Sequence, residues 1–563
     1  MNIQGIKNIK RSRAQESSAA IERLYITMRH LINRGFYKPM GVSGDTLREA
    51  LLALRPEIYG SIAEEKAELN GLLYVIERLP IGIEQCRFVN LTSEEGYSKS
   101  HFKAIVPPKR RRNCYRIDEE QMNVEITRGR SDIYDILTHL TFIFIESQKI
   151  KNRVLIDDNG EIARDWLKLE QAIKSTGKLS LEEREQAVSH ASIVLGRSFS
   201  EITDIYDAFG TAETPDRFLH VIYWLGKLAI EEALGGPKRT ITFSPILRER
   251  LGHHIHGEVW ANNIKTILKQ NGLLERPIHI ISANMHSVMN SLFAPGILKT
   301  RIKDQTDFHI FEELSKVNNN ALRSKVEAAA LKSGMIAVPD TSGTNIDVQI
   351  FDTARIDFSG TIFHQAQFNS EKPVIVVMDY AFGEQAYETI DELLKPFKEG
   401  KVKTFLNVVS ISIMGKAGIL EGNKGDIMIP SAHINEGTGD NYPFENELTS
   451  EMFAHEGIPV YTGPMVTVLG TSLQNKDLLR FFNESTWGVI GLEMEGAYYQ
   501  KAIQSASKIR KSINPDVKVR YAYYASDNPL ETGSTLASGG LGTAGVKPTY
   551  LITIKILGQI FNI

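Results

Sequence analysis

The sequence predicts an α/β domain in residues 271–563, with a mixed, mainly parallel sheet flanked by helices, preceded by a mostly helical domain in residues 1–270. Three observations lead to this fold class. The length of 563 residues exceeds what a single hydrophobic core usually supports. Before residue 270, apolar residues recur at helical spacing. After it, short β-rich segments alternate with helical ones, which is typical of a layered α/β domain.

Helices of the first domain are indicated by apolar residues at helical spacing and by a predicted N-terminal capping box. Residues 18–34 place their apolar side chains at the i, i+3, i+7 spacing of one buried face. Ser180 followed by Glu183 forms a capping box, so a helix is predicted to begin there. Residues 215–234 carry a second apolar stripe and predict a further helix.

Strands of the second domain are indicated by short runs of apolar and β-branched residues. The runs are P-I-H-I-I-S-A, K-P-V-I-V-V-M-D, V-K-T-F-L-N-V-V-S-I-S-I-M, G-D-I-M-I-P, V-I-G-L-E-M and V-K-V-R-Y-A-Y-Y-A-S. Most are continuously apolar, as strands buried on both faces of a parallel sheet must be. Helical segments lie between several of them, so a ligand site is expected at the carboxyl ends of the strands.

Composition narrows the class of protein. Apolar residues at 42% and charged residues at 24% are typical of a soluble globular chain. A net charge of -3 argues against a nucleic-acid partner. A membrane partner is not expected, because the sequence has no apolar run of about 20 residues. Only Cys86 and Cys114 are cysteines, too few for a disulfide framework or a cysteine zinc site. A cytoplasmic protein without a metal or organic cofactor is predicted.

Two local motifs are given non-functional interpretations. The basic run K-R-R-R-N at 109–113 is predicted to be a solvated loop, with binding of RNA or of a nucleotide phosphate as the alternative. Gly540, Gly542 and Gly545 have dinucleotide-binding spacing, but no strand precedes them and Pro548 is expected to interrupt any helix. This glycine-rich stretch is predicted to be a mobile loop near the ligand site.

Polar residues gather where the predicted strands end. They are Asp379, Gly383, Gly415, Lys416, Gly418, Asp426, Glu493, Glu495, Ser526 and Asp527. Neighbouring strands end at one edge of a sheet, so these residues are expected to form a pocket there.

The order of these motifs resembles the nucleoside phosphorylase and nucleosidase superfamily, which includes purine nucleoside phosphorylases, methylthioadenosine/S-adenosylhomocysteine nucleosidase and AMP nucleosidase. The matching order is G-x-A-G-x-L, G-D-I-x-I, T-G, M-E-G-A and S-D, between Pro277 and Leu530. The ending S-D-N-P-L is most similar to AMP nucleosidase. The resemblance does not extend to residues 1–270.

The resemblance implies catalytic roles for three residues. Glu495 would accept hydrogen bonds from the ribose hydroxyls, and Asp527, oriented by Ser526, would protonate N7 of the departing base. Met494 would pack against the sugar. Two alternatives stay open, because Glu493 and Glu495 could instead cap the following helix, and Asp527 could simply form a turn.

The resemblance also implies a wider substrate-binding set. Besides Met494 it comprises Glu493, Gly418, Lys416, Met465, Val466, Thr467, Gly383, His286 and Ser287. Residues 465–467 are expected to line the base pocket. Lys416 replaces a residue that is usually small, so it would either neutralise a substrate phosphate or fill the pocket of an inactive relative.

The nucleophile is inferred from what departs from the family pattern. The arginines that hold phosphate are missing from their usual places, which favours water; His286, Ser287 or Glu384 could position it. The predicted enzyme is therefore a hydrolytic purine nucleoside or nucleotide N-glycosidase, forming a homo-oligomer by resemblance. A phosphate-dependent phosphorylase and a catalytically silent nucleotide sensor are the alternatives.

Overall fold

The computed structural model describes residues 12–157, 159–174, 179–298, 308–368, 371–531 and 541–563, in two compact units. The first unit contains Met1–Thr127, Asp132–His253 and Ser472–Leu478. The second contains Arg128–Ser131, His254–Thr471 and Leu479–Ile563. A functional division at residue 270 remains a prediction.

Helices and a sheet both build the first unit. Its helices are α1 (Arg13–Arg34), α2 (Val42–Leu54), α3 (Leu69–Ile76), α4 (Gly129–Val154), α5 (Arg164–Lys174), α6 (Leu181–Leu195), α7 (Phe199–Phe209), α8 (Arg217–Ala233) and α9 (Pro245–Gly252), and α4 starts among residues of the second unit. Its strands are β1 (Phe36–Tyr37), β2 (Phe88–Thr92), β3 (Ala104–Ile105), β4 (Cys114–Arg116), β5 (Gln121–Glu125) and β6 (Thr240–Phe243).

The predicted helices of this unit are present as α1, α6 and α8. Ser180 and Glu183 form the capping box that begins α6, and a second capping box at Ser12 starts α1 earlier than its apolar stripe indicates. The six-stranded sheet, in the order β1-β6-β2-β5-β4-β3, was not predicted. Several of its strands have only two to four residues, too few to show an alternating pattern.

The basic run at 109–113 is not a fully solvated loop. The guanidinium of Arg110 forms a bidentate pair with Asp135, at 2.7 and 2.8 Å. The Arg112 side chain is almost fully buried and lies 2.9 Å from Asp132 and 2.7 Å from Asp135. The prediction was wrong at these two positions, because both aspartates come from α4, whose packing on the run has no local signal.

The second unit is built on a large sheet. The strands of the unit are β7 (Ile278–Ser282), β8 (Met335–Val338), β9 (Val348–Asp352), β10 (Val374–Met378), β11 (Phe397–Glu399), β12 (Val402–Thr404), β13 (Val408–Ile419), β14 (Ile427–Asn435), β15 (Asn441–Pro443), β16 (Val460–Thr467), β17 (Gly491–Glu493) and β18 (Lys518–Asp527), of which β11 and β12 form a separate two-stranded sheet. Its helices are α10 (Ile255–Gln270), α11 (Ser287–Ile297), α12 (His309–Ser315), α13 (Asn320–Lys332), α14 (Gln385–Leu393), α16 (Gly496–Gln504) and α17 (Val546–Ile560), while α15 (Lys476–Glu484) starts among residues of the first unit.

The large sheet is mixed rather than mainly parallel. Its strand order is β15-β14-β16-β17-β13-β7-β10-β9-β8, and β18 pairs with both β13 and β14. The strands β13, β7 and β10 run parallel, but β9 and β15 are antiparallel to their neighbours, and β17 is antiparallel to β13 while it runs parallel to β16. The predicted predominance of parallel strands is therefore not found, because an apolar run does not reveal the direction of a strand.

Five strands of this sheet close on themselves. β13 pairs with β17 and β18, β14 pairs with β16 and β18, and β16 pairs with β17. The ring brings the carboxyl ends of β16, β17 and β18 close together. Residues at the ends of these strands can therefore share a site even though they are far apart in sequence.

Two hydrophobic cores cover the faces of the sheet. On β10, Val374 and Val376 belong to a core with α10, α14 and α16, whereas Ile375 and Val377 belong to a core with α11, α12, α13 and α17. Successive residues of a strand point to opposite faces, so a run that is apolar throughout requires both layers. Within the described residues, no helix is long and apolar enough to cross a membrane.

The glycine-rich tail ends in a helix. Gly540 lies outside the described residues, and so does most of the loop predicted to be mobile. α17 begins at Val546, so the expectation that Pro548 prevents a helix was wrong. Pro548 stands in the first turn, where a missing backbone N–H breaks no intrahelical hydrogen bond.

Candidate active site

A cavity of about 210 Å³ opens at the strand ends of the second unit. Both apolar and polar side chains line it, and most come from β13, β17, β18 and the loop after β10. The lining residues are Ser282, Tyr380, Ala381, Ile413, Met414, Gly415, Lys416, Ala417, Thr471, Leu492, Glu493, Met494, Glu495, Tyr499, Tyr523 and Ser526. An apolar cavity with a few polar groups is typical of a small-molecule site.

Strand β13 separates the two predicted carboxylates. Gly418 is the register partner of Leu492 on β17 and also of Asp527 on β18. Two strand spacings place Leu492 and Asp527 roughly 10 Å apart across β13. The register of β13 against β18 shifts between Ala417 and Gly418, which is where the cavity lies. Glu495 follows shortly after Leu492, so the two acidic residues flank one strand end.

Glu495 is held at the cavity by a loop backbone. The N–H of Gly383 donates to Glu495 Oε1 at 2.9 Å. Burial raises the pKa of Glu495 to about 8, the negative charge of Glu493 adds to the rise, and the guanidinium of Arg128 opposes it. Gly383 has φ of 56°, in the left-handed region, and a Cβ there would lie 2.3 Å from Ser131 Oγ. This position therefore requires glycine.

Glu493 lines the cavity and also caps the next helix. Its Oε2 accepts hydrogen bonds from the backbone N–H groups of Glu495 and Gly496, and its Oε1 accepts one from Thr467. His433 Nδ1 lies 3.4 Å from the same carboxylate. The capping alternative therefore applies to Glu493 and not to Glu495, while Thr467 serves to fix Glu493.

Ser526 and Asp527 form a hydrogen-bonded pair on the other side of β13. Ser526 Oγ lies 2.5 Å from Asp527 Oδ1 and 3.1 Å from the Ala417 carbonyl. Asp527 is 4% exposed, and its Oδ2 is buried with no hydrogen-bond partner among the described residues. Burial raises the pKa of Asp527, against the effects of Ser526, Lys416 and Lys424. Ser526 lines the cavity, whereas Asp527 is not a lining residue and reaches the cavity wall through its hydrogen bond with Ser526.

Aromatic side chains supply much of the remaining lining. Tyr499 and Ser282 are joined by a hydrogen bond of 2.9 Å between their hydroxyls. A Cβ at Gly415 would lie 3.4 Å from the Tyr380 ring, so glycine keeps this wall open. Met494 is half-buried and lines the cavity, as the sequence predicts. Such a wall suits a flat, partly polar ligand.

Several predicted residues lie elsewhere. Met465 and Val466 are fully buried in the hydrophobic cores, because on β16 their side chains pack between sheet and helices. Gly418 pairs with Leu492 and with Asp527 on the neighbouring strands and does not line the cavity. His286 is exposed, and Ser287 is tied to Asn284 by hydrogen bonds of 2.8 and 3.2 Å. None of these five residues lines the cavity.

A segment that no sequence motif indicated lies beside the loop that holds Glu495. The N–H of Glu384 donates to Ser131 Oγ at 2.8 Å, and Arg130 Nη1 lies 3.1 Å from Glu384 Oε1. The guanidinium of Arg128 sits 4.5 Å from the centre of the Phe382 ring. The segment 128–131 thus braces the loop whose Gly383 holds Glu495. It comes some 250 residues earlier in the chain, so no local pattern could identify it.

Metal binding has no evident basis in the described ranges. There, no group of three or more histidine, cysteine, aspartate or glutamate side chains is placed to hold a metal ion.

Comparison with known proteins identifies the family. Residues 45–310 and 309–562 match the model of the Family of unknown function (DUF6909), and the chain belongs to that family. A search of curated proteins finds no match.

Solved structures are similar to about half of this chain. The 5'-methylthioadenosine/S-adenosyl homocysteine nucleosidase of Campylobacter jejuni is 12% identical and covers 51% of this chain and 100% of its own, with a TM-score of 0.31. AMP nucleosidase from Bacteroides thetaiotaomicron is 12% identical (54% and 98% covered, TM-score 0.30). Purine nucleoside phosphorylase from Toxoplasma gondii is 14% identical (51% and 91% covered, TM-score 0.30).

Proposed function

We propose that this protein cleaves the N-glycosidic bond of a purine nucleoside or nucleotide. The observation that carries the proposal is that Glu495 and Ser526 line one cavity, with Asp527 hydrogen-bonded to Ser526. Cleavage of this bond builds positive charge on the ribose and negative charge on the departing base. A catalyst must stabilise both charges more in the transition state than in the substrate.

Glu495 is assigned to the sugar. Its carboxylate would accept hydrogen bonds from the ribose hydroxyls and favour the positive charge that develops on the ring. The Gly383 N–H fixes Oε1 of this carboxylate and so orients the side chain at the cavity. The form that stabilises the cation is the ionised one, so the raised pKa of Glu495 makes its activity dependent on pH near neutrality.

Asp527 is assigned to the base. Its burial raises the pKa of the carboxyl group, which helps it to keep a proton for N7. Oδ1 is engaged by Ser526, and the unpartnered Oδ2 is the atom proposed to carry that proton. A base protonated at N7 leaves as a neutral molecule, which lowers the barrier to cleavage.

The nucleophile is proposed to be water, with phosphate as the second candidate. His286 and Ser287 do not line the cavity, so neither is retained as the group that positions water. One observation favours phosphate: Arg128 lies close enough to Glu495 to lower its pKa. Arginine is a common phosphate ligand, so the argument from missing arginines loses weight.

Turnover with and without phosphate tests the proposal. The protein is incubated with AMP, adenosine, inosine and methylthioadenosine, and free base is followed. Release without phosphate supports hydrolysis, and release only with phosphate supports phosphorolysis. Nucleotide binding without release of base under either condition would contradict the proposal and favour a silent sensor.

Asp527→Asn tests the acid. We expect turnover to fall by about 100-fold or more while substrate binding is retained, because general acid catalysis contributes about 10²–10⁴-fold. Lys424→Met is a matched control, since Lys424 is near Asp527 but does not line the cavity. Full activity of the Asn variant would remove the assignment.

A homo-oligomer in the cytoplasm is also proposed, from the resemblance and from the few cysteines.

A further inference from the structure

Among the described residues that line the cavity, one is a cation, Lys416. Lys416 stands on β13, its side chain is exposed, and it lines the cavity together with Ser526. It makes no hydrogen bond or ion pair within 4 Å with any residue that the structure describes. The ammonium is therefore available to a ligand.

The backbone places Lys416 on the side of Asp527. The carbonyl of the next residue, Ala417, accepts the hydrogen bond of Ser526 Oγ at 3.1 Å. The residue after that, Gly418, is the register partner of Asp527. Glu495 is reached from the opposite edge of β13, through β17. The positive charge of Lys416 lowers the pKa of Asp527, in agreement with this position.

We infer that Lys416 contacts the purine and not the sugar phosphate, and that it selects purines with an oxygen at C6. This inference rests on the proposed function. An ammonium only donates hydrogen bonds, so it matches a carbonyl oxygen and opposes an amino group, which is itself a donor there. A hydrogen bond from a charged donor to a buried acceptor is among the stronger kinds.

The same contact assists departure of the base. When the C1'–N9 bond breaks, its electron pair stays on N9 and spreads over the purine, including O6. The ammonium of Lys416 stabilises this charge while Asp527 delivers its proton to N7. In hydrolysis, water supplies the hydroxyl that bonds to C1', and the remaining proton of water restores Asp527. Lys416 itself neither gains nor loses a proton.

Lys416→Met tests the inference, because methionine keeps the length of the side chain and removes the charge. We expect the wild-type protein to prefer inosine over adenosine. The variant should lose roughly 10- to 100-fold in kcat/KM for inosine and little for adenosine, the range that a hydrogen bond to a charged group supports. Lys424→Met should retain the preference for inosine.

Several outcomes would overturn the inference. One is a wild-type preference for adenosine, and another is an equal loss for inosine and adenosine in Lys416→Met. A third is a loss of kcat/KM in Lys416→Met that occurs with AMP and not with adenosine, which would assign Lys416 to the 5'-phosphate.

A second measurement separates this inference from the proposed function. If no nucleoside is cleaved, the binding of free hypoxanthine and free adenine is measured by calorimetry. Tighter binding of hypoxanthine that disappears in Lys416→Met supports the role of Lys416 even without catalysis. Equal binding of the two bases, or no binding of either, rejects it.

Discussion

Replacing Glu495 by Gln is expected to remove a pH dependence that the wild-type protein shows near neutrality. The pKa of Glu495 is raised to about 8 by burial and by Glu493. At pH 7, Glu495 is then ionised in about one molecule in ten. Ionising it one pH unit below its pKa costs about 1.4 kcal/mol. If ionised Glu495 stabilises the ribose cation, the ratio of the wild-type kcat/KM to that of Glu495→Gln should rise about tenfold per pH unit up to about pH 8 and then level off, because the ionisation of Asp527 is common to both proteins.

The assay is kcat/KM against pH from 6 to 9 with the best substrate of the turnover experiment. Glu495→Gln keeps the shape of the side chain and cannot ionise, so its profile should lose the rise and lie below that of the wild type at pH 8. A variant with the wild-type profile would refute the role of Glu495. Protonation of Asp527 acts in the opposite direction, since a general acid loses activity as pH rises.

Stability provides an independent reading of the same group. An acid whose pKa is higher in the folded state than in the unfolded state binds more protons when folded, so its contribution to stability is lost as pH rises. For Glu495 the loss falls between the ordinary glutamate pKa of 4.5 and the raised pKa of about 8. The free energy of unfolding of Glu495→Gln should therefore decline less across this window.

Glu388→Gln is a matched control for both measurements. Burial and the charge of Glu384 raise the pKa of Glu388 to about 8 as well, but Glu388 does not line the cavity. Its replacement should alter the stability profile and leave the shape of the kinetic profile unchanged. If Glu388→Gln flattens the kinetic profile and Glu495→Gln does not, the assignment of this ionisation to Glu495 is wrong.

Two further substitutions test the architecture of the site. Gly383→Ala should lower kcat/KM at least about tenfold and reduce Tm, because the left-handed backbone costs an alanine roughly 1 kcal/mol and its Cβ would meet Ser131 Oγ at 2.3 Å. The double variant Gly383→Ala/Ser131→Gly removes the Ser131 side chain and should recover part of the lost activity. No recovery would contradict the steric explanation. Gly415→Val should raise KM or abolish binding, with Tm nearly unchanged, because the valine side chain would project toward the Tyr380 ring on the cavity wall. Substrate titration measures this effect, and an unchanged KM would place the ligand elsewhere.

The placement of the paired strands β7 and β10 was available from the sequence. Ile278–Ser282 and Val374–Met378 are apolar over their full length, and a run of that kind is stable only when both of its faces are covered. The position of Glu495 at a strand-to-helix junction follows from the same local pattern. Local preferences of this kind act within a few residues, so they can be recognised along the chain.

Only the tertiary structure decided which polar side chains meet. Met465 and Glu495 both follow from the motif order, yet strand register buries the first in the core and brings the second to the cavity. The bracing of Gly383 by Ser131, and the pairing of Arg110 with Asp135, join residues that share no sequence pattern. Contacts of this kind depend on how strands and helices pack, and the packing is set by the whole chain rather than by any one segment.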